Sequence, residues 1–136
     1  MPPEHGAKVD GAAGTVIAVL DCGVDINHLD LAAAVFRNNA EISGHRIDDD
    51  GKGLIDDVNG YDFHNNDNNP SDDNGHGTHV SGTIAAVANG TGMQGVAYGA
   101  RILALKFLGE VCVSPMSGRR QLMLVGMMPV MKPVIV

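Results

Sequence analysis

The sequence predicts an α/β fold built on a parallel sheet, and three observations carry that expectation. Val16-Ile17-Ala18-Val19-Leu20 is an unbroken apolar run rich in β-branched residues, the pattern of a parallel strand covered on both faces. Residues 101–108, Arg-Ile-Leu-Ala-Leu-Lys-Phe-Leu, read as a second core strand, apolar apart from their two cations. Between them Val80, Ile84 and Val87 recur at i, i+4 and i+7, one buried stripe of a helix running to about Ala88. Strands alternating with a helix imply helices layered on a sheet.

Taken in order, residues 1–14 are polar and glycine-rich without periodicity and form an N-terminal arm. The first strand ends at Asp21, on the edge of an open α/β sheet where active sites assemble, and Gly23 lets the chain turn away. Leu31 to Phe36 reads as a helical turn, and Asn38 to Ile42 leads into an acidic loop. Asn59 to Asp73, rich in Asn and Asp, reads as a surface connection that delivers the chain to the helix. Asn89 to Ala100 carries four glycines and turns the chain into the second strand.

The helix opens on Asn74-Gly75-His76-Gly77-Thr78-His79-Val80-Ser81-Gly82-Thr83, with Asp73 or Asn74 as its cap and His76 in its first turn. There the unpaired N–H groups and the helix dipole disfavour an imidazolium, so the ring is expected to begin neutral, as a general base must. A His-x-x-His zinc site is the competing reading, but a helical catalytic zinc site pairs its histidines with a carboxylate, and position 77 is glycine. His79, one turn deeper, is assigned a structural role, since one base suffices.

The histidine stretch together with Thr15-Val16-Ile17-Ala18-Val19-Leu20-Asp21-Cys22-Gly23-Val24-Asp25 resembles the subtilisin-like serine proteases over residues 15–108. The family's triad runs Asp, His, Ser along the chain, and the first two stand here in that order as Asp21 and His76. The resemblance implies a three-layer α/β sandwich present only in part, and a serine-type endopeptidase acting on polypeptides by acyl transfer. Asp21 would hold the tautomer of His76 and steady its imidazolium. Cys22 stands where the family commonly has Ser or Thr; a packing role is the expectation, with a cysteine nucleophile as the rival.

The acidic loop, Ile47 to Asp57, is the second informative constellation. Clustered carboxylates repel unless a hard cation gathers them, and Ca²⁺ takes six to eight oxygens. Asp48, Asp50, Asp56 and Asp57 are the expected ligands; three of them follow half of an EF-hand pattern, with Arg46 in the place of the first ligand. Similar Asp-Asp-Asp-Gly insertions in the family are calcium-stabilised, and the alternative is a solvated acidic loop.

The net charge of −7 argues against a nucleic-acid partner, and it is local: residues 48–73 hold nine aspartates and one lysine. No stretch has the length of a membrane span, and the N-terminus lacks the regions of a signal peptide, although the family resemblance implies secretion. Whether Cys22 and Cys112 pair is open from spacing alone.

From Gly109 the pattern changes. Five of the seven methionines lie beyond Ser114, no acid follows Glu110, and Pro115, Pro129 and Pro133 interrupt any element. Residues 109–136 are therefore expected to be a tail unlike the family, of frameshifted or misspliced origin. Ser81 lies roughly 140° round the helix from His76, and Ser43, Ser71, Ser114 and Ser117 lack the context of a nucleophile. The expected function is serine endopeptidase with its Ser missing from this chain, which leaves the chain inactive; a calcium-binding fragment without catalysis is the alternative, and an unstable product a third.

Overall fold

Four strands, all parallel, form one sheet in the computed structural model, which describes residues 12–112 together with the backbone of residues 134–135. They are β1 (Val16–Asp21), β2 (Gly60–Asp62), β3 (Arg101–Lys106) and β4 (Val134–Ile135), with one helix, α1 (His76–Ala85), between β2 and β3. The spatial order is β2-β3-β1-β4, so the two apolar runs lie side by side in the centre. Their register sets Val16 opposite Arg101 and Asp21 opposite Lys106, which brings both polar strand ends to one edge.

Alternation along β1 and β3 divides the core between the two faces. Ile17, Val19, Ile102 and Ala104 pack with Val24, Leu31 and Ala85 of α1 on one face. Ala18, Leu103 and Leu105 pack with Leu20, Phe36 and Phe63 on the other. Of the three layers of the expected sandwich, the described residues thus contain the sheet and a helix on one side. The turn predicted at Leu31–Phe36 is present: Leu31 and Ala32 N–H donate to the His28 carbonyl, and Val35 donates to Leu31.

The structure corrects four expectations. The segment 59–73 is more than a surface connection, because Gly60, Tyr61 and Asp62 are buried as β2. A Cβ at Gly60 would fall 2.0 Å from the Ala104 carbonyl oxygen, so glycine is what allows this strand to approach β3. Helix α1 stops at Ala85 instead of Ala88: Ala86 takes extended geometry, and the Val87 N–H donates to the Asp30 carbonyl instead of continuing the ladder. Its most buried positions are small, namely Gly77, Ser81, Gly82 and Ala85, with Val80, Ile84 and Val87 only partly buried against the core. In the tail, expected to be without elements, the backbone of Val134 and Ile135 pairs with Ile17 and Ala18 of β1. Residues 113–133 and 136 of that tail, and the arm up to residue 11, lie outside the described residues.

Candidate active site

Asp21 ends β1 with its carboxylate nearly buried, and His76 begins α1. Nδ1 of His76 is 2.9 Å from both carboxylate oxygens of Asp21. Gly77 makes this approach possible: a Cβ there would lie 2.0 Å from the Gly23 carbonyl oxygen, and 3.0 Å from the Asp21 side chain. The helix N-terminus therefore touches the turn after β1 without intervening side chain. The His76 side chain is 62% exposed, so the edge of its ring away from Asp21 faces solvent.

Neither residue named as the cap from sequence holds the helix start. Gly75 is the N-cap, at φ 98°, and has no side chain to offer. Asp72 caps from outside, accepting from the N–H groups of Asn74, Gly75 and Thr78 and from the Thr78 hydroxyl. Those four donors outweigh the opposing effect of burial and hold the Asp72 carboxyl below its usual range.

The helix dipole, expected to disfavour an imidazolium at His76, is outweighed here. The hydrogen bond to Asp21 and its charge raise the imidazole pKa above the ordinary 6.5, against a small opposing effect of desolvation. A carboxylate at hydrogen-bond distance outweighs the dipole of one short helix.

Behind this pair, Lys106 is buried at the end of β3 and unites three segments. Its Nζ donates to the Ser71 carbonyl at 3.0 Å, pairs with Asp73, and lies 3.4 Å from the fully buried Asp62 of β2. Burial pulls its pKa down, but Asp73 and Asp62 reverse that and hold it above the ordinary value. The loop that delivers His76 is thereby fixed to the sheet. Sequence reasoning noted Lys106 only as a cation within a core strand and gave it no partner; a cation in an apolar run was the available signal for a buried ion pair.

Cys22 and Cys112 are joined by a disulfide with Cα atoms 5.3 Å apart. Both sulfurs face the catalytic candidates: Sγ of Cys22 is 2.9 Å, and Sγ of Cys112 3.6 Å, from Oδ1 of Asp21. In this form Cys22 has no free thiol. His79, assigned a structural role from sequence, is exposed and lines a cleft of about 510 Å³ with Asp25, His28 and Asp72.

The acidic loop gathers Glu41, Asp50 and Asp57, one oxygen from each lying within 4.8 Å of the others. Asn38 donates to both aspartates. Of the four ligands expected from sequence, Asp50 and Asp57 belong to this group. Asp48 instead accepts the N–H groups of Gly51, Lys52 and Gly53, and Asp56 those of Gly44 and Arg46. Glu41 was missed because it lies outside the run of aspartates, where no spacing rule points to it. Burial, with Asp50 and Glu41 nearby, pushes the Asp57 carboxyl up to about 6 despite its bond from Asn38. For Asp50 the opposite holds: burial is outweighed by Asn38 and Lys52, and the pKa is lowered.

Known proteins share the sequence pattern and fold of this chain. Residues 12–121 match the profile of the Subtilase family. Over 98 residues the chain is 45% identical to "Subtilisin-like protease 1" of Plasmodium falciparum, covering 71% of this chain and 14% of that protein. It is 39% identical over 107 residues to the "Major intracellular serine protease" of Bacillus subtilis, covering 79% of this chain and 28% of that one. A crystal structure of Aeromonas sobria serine protease in complex with its chaperone superimposes with a TM-score of 0.62 at 25% identity, over 89% of this chain and 17% of that one. Among the described residues no helix is long and apolar enough to cross a membrane.

Proposed function

The chain belongs to the subtilase family, and from that premise we propose that Asp21 and His76 are the acid–base pair of a serine-type endopeptidase whose nucleophilic serine is not among these 136 residues. The observation that carries the reading is Nδ1 of His76 at 2.9 Å from both oxygens of a nearly buried Asp21, with the rest of the ring open to solvent. Asp21 holds the proton on Nδ1, so Nε2 carries the lone pair. That nitrogen takes the proton of an attacking serine hydroxyl and returns it to the leaving amine, while Asp21 stabilises the imidazolium in between. The upward shift of the His76 pKa makes it a stronger base for that transfer. Polypeptides are the substrate class.

Calcium is the proposed structural ion. Glu41, Asp50 and Asp57, with the Asn38 side chain beside them, are hard oxygen donors, and burial together with the smaller repulsion from Asp50 and Glu41 raises the Asp57 pKa. The ion would balance that charge and pin the loop; it takes no part in the proton transfers. A catalytically silent calcium-binding fragment is the second reading, favoured by the absence of any serine in a nucleophile context. The disulfide favours an oxidising compartment, whereas one relative is intracellular by name, so membership of the family leaves the compartment open.

The test is a chimera in which residues 12–108 replace the matching segment of the Bacillus subtilis protease. The chimera is expected to hydrolyse a fluorogenic peptide, and His76→Ala within it to lower kcat on the order of 10⁴- to 10⁶-fold. A folded chimera that turns over equally well with and without His76 removes the proposal.

A further inference from the structure

The two sulfurs, the histidine and the aspartate described above form a donor set that proteolysis does not use. One atom each from Asp21, Cys22, His76 and Cys112 lies within 4.8 Å of the other three, and three of the four residues are buried or half-buried. Cα atoms 5.3 Å apart suit a disulfide, and two cysteines at that separation also suit a shared tetrahedral ion. From these positions we infer that the reduced chain holds a thiophilic divalent cation of the zinc class on Cys22, Cys112, His76 and Asp21.

The chemistry follows from the donors. Two thiolates, an imidazole and a carboxylate are the ligands zinc accepts in four-coordinate sites, and thiolate excludes the hard cations that suit the acidic loop. Reduction of the Cys22–Cys112 bond by a phosphine takes two electrons from phosphorus and two protons from water, whose oxygen ends on the phosphine oxide, and yields two thiols. Binding the ion then releases both thiol protons. The disulfide and the ion therefore exclude each other, because each uses the same two sulfurs. An ion at this place also occupies Asp21 and His76, so the oxidised form is the one in which that pair is free. The site is independent of the endopeptidase reading, since it requires only the four side chains.

The experiment uses the full chain, reduced with a phosphine under anaerobic conditions and titrated with Co²⁺ and then Zn²⁺. One Co²⁺ per chain is expected, with the visible bands of tetrahedral cobalt and the near-ultraviolet charge-transfer band of a thiolate ligand, both erased by one equivalent of Zn²⁺. Cys112→Ser should weaken binding by at least about 10- to 100-fold, the loss known for removing even an outer partner of a metal ligand. His76→Ala should do the same. The oxidised wild type serves as a folded control and should give no thiolate band. Cobalt held by the acidic loop would show neither tetrahedral bands nor thiolate charge transfer. A reduced, folded chain with no thiolate band, or an oxidised chain that gives the same spectrum, overturns the inference.

Discussion

Asp21 serves neighbours on two sides: its oxygens accept from the Cys22 N–H and meet Nδ1 of His76, while its backbone carbonyl accepts from Phe107 and Leu108. A carboxylate so held is fixed in position, and the pH behaviour of its partner follows. The folded-state pKa of His76 lies above the unfolded one, so the pairing favours the fold at low pH and loses that effect as pH rises through the raised value. Asp57 also titrates upward, from 3.8 to about 6, and its linkage has the same sign, although here the fold favours the neutral form. The folded chain binds this proton more tightly than the unfolded chain, so stability falls as pH rises from about 4 through about 6 when calcium is absent. Asp57→Asn should relieve that loss, on the order of 1 kcal/mol at pH 7 once solvent screening is allowed for. Thermal melts should show calcium raising the midpoint of the wild type and leaving the Asp57→Asn variant unmoved.

The helix start is the element on which the site depends, and its sequence signals were uneven. His76 was identifiable because glycines flank it and an apolar stripe follows, whereas its cap was misplaced because Asp72, Asp73 and Asn74 are equally good capping residues by type. Only the left-handed turn at Gly75, which swings the chain so that Asp72 meets Thr78, selects among them. Asp72→Ala should therefore cost about 1–2 kcal/mol, read by chemical denaturation, while Asp73→Ala should instead act through Lys106. Gly77→Ala places a methyl group against the Gly23 carbonyl and should destabilise by about 1–3 kcal/mol, with the His76–Asp21 contact lengthened. Lys106→Met leaves Asp62 buried without its cation and should cost about 3–5 kcal/mol, the largest effect expected of any single change considered. Strand β2 escaped the sequence reading for a different reason: three residues of Gly, Tyr and Asp carry no periodicity, and their burial is decided by β3.

At the scale of the molecule, the central strands, their direction and the meeting of Asp21 with His76 were all legible, because long-range order here rests on two apolar runs and one helix. What the sequence left hidden was assembled from distant residues: Glu41 with Asp50 and Asp57, Lys106 with Asp62 and Asp73, Cys22 with Cys112. Such groups have no spacing rule, since the fold alone brings them together. The chain spans about one seventh of the length of the Plasmodium falciparum relative, and among the described residues β1 is flanked on its outer side by only the two residues of β4. A sheet covered so briefly on that side is expected to associate in solution. Sedimentation at rising protein concentration should show oligomers.

Asp21 acts through His76, and the most direct measurement of that is the titration of the His76 ring by ¹⁵N and ¹H NMR in the oxidised chain, beside an Asp21→Asn variant. A pKa above the ordinary value, a proton retained on Nδ1, and a return toward that ordinary value in the variant are the predicted results. A wild-type pKa at or below the ordinary value, or one that the variant leaves unchanged, would contradict the account.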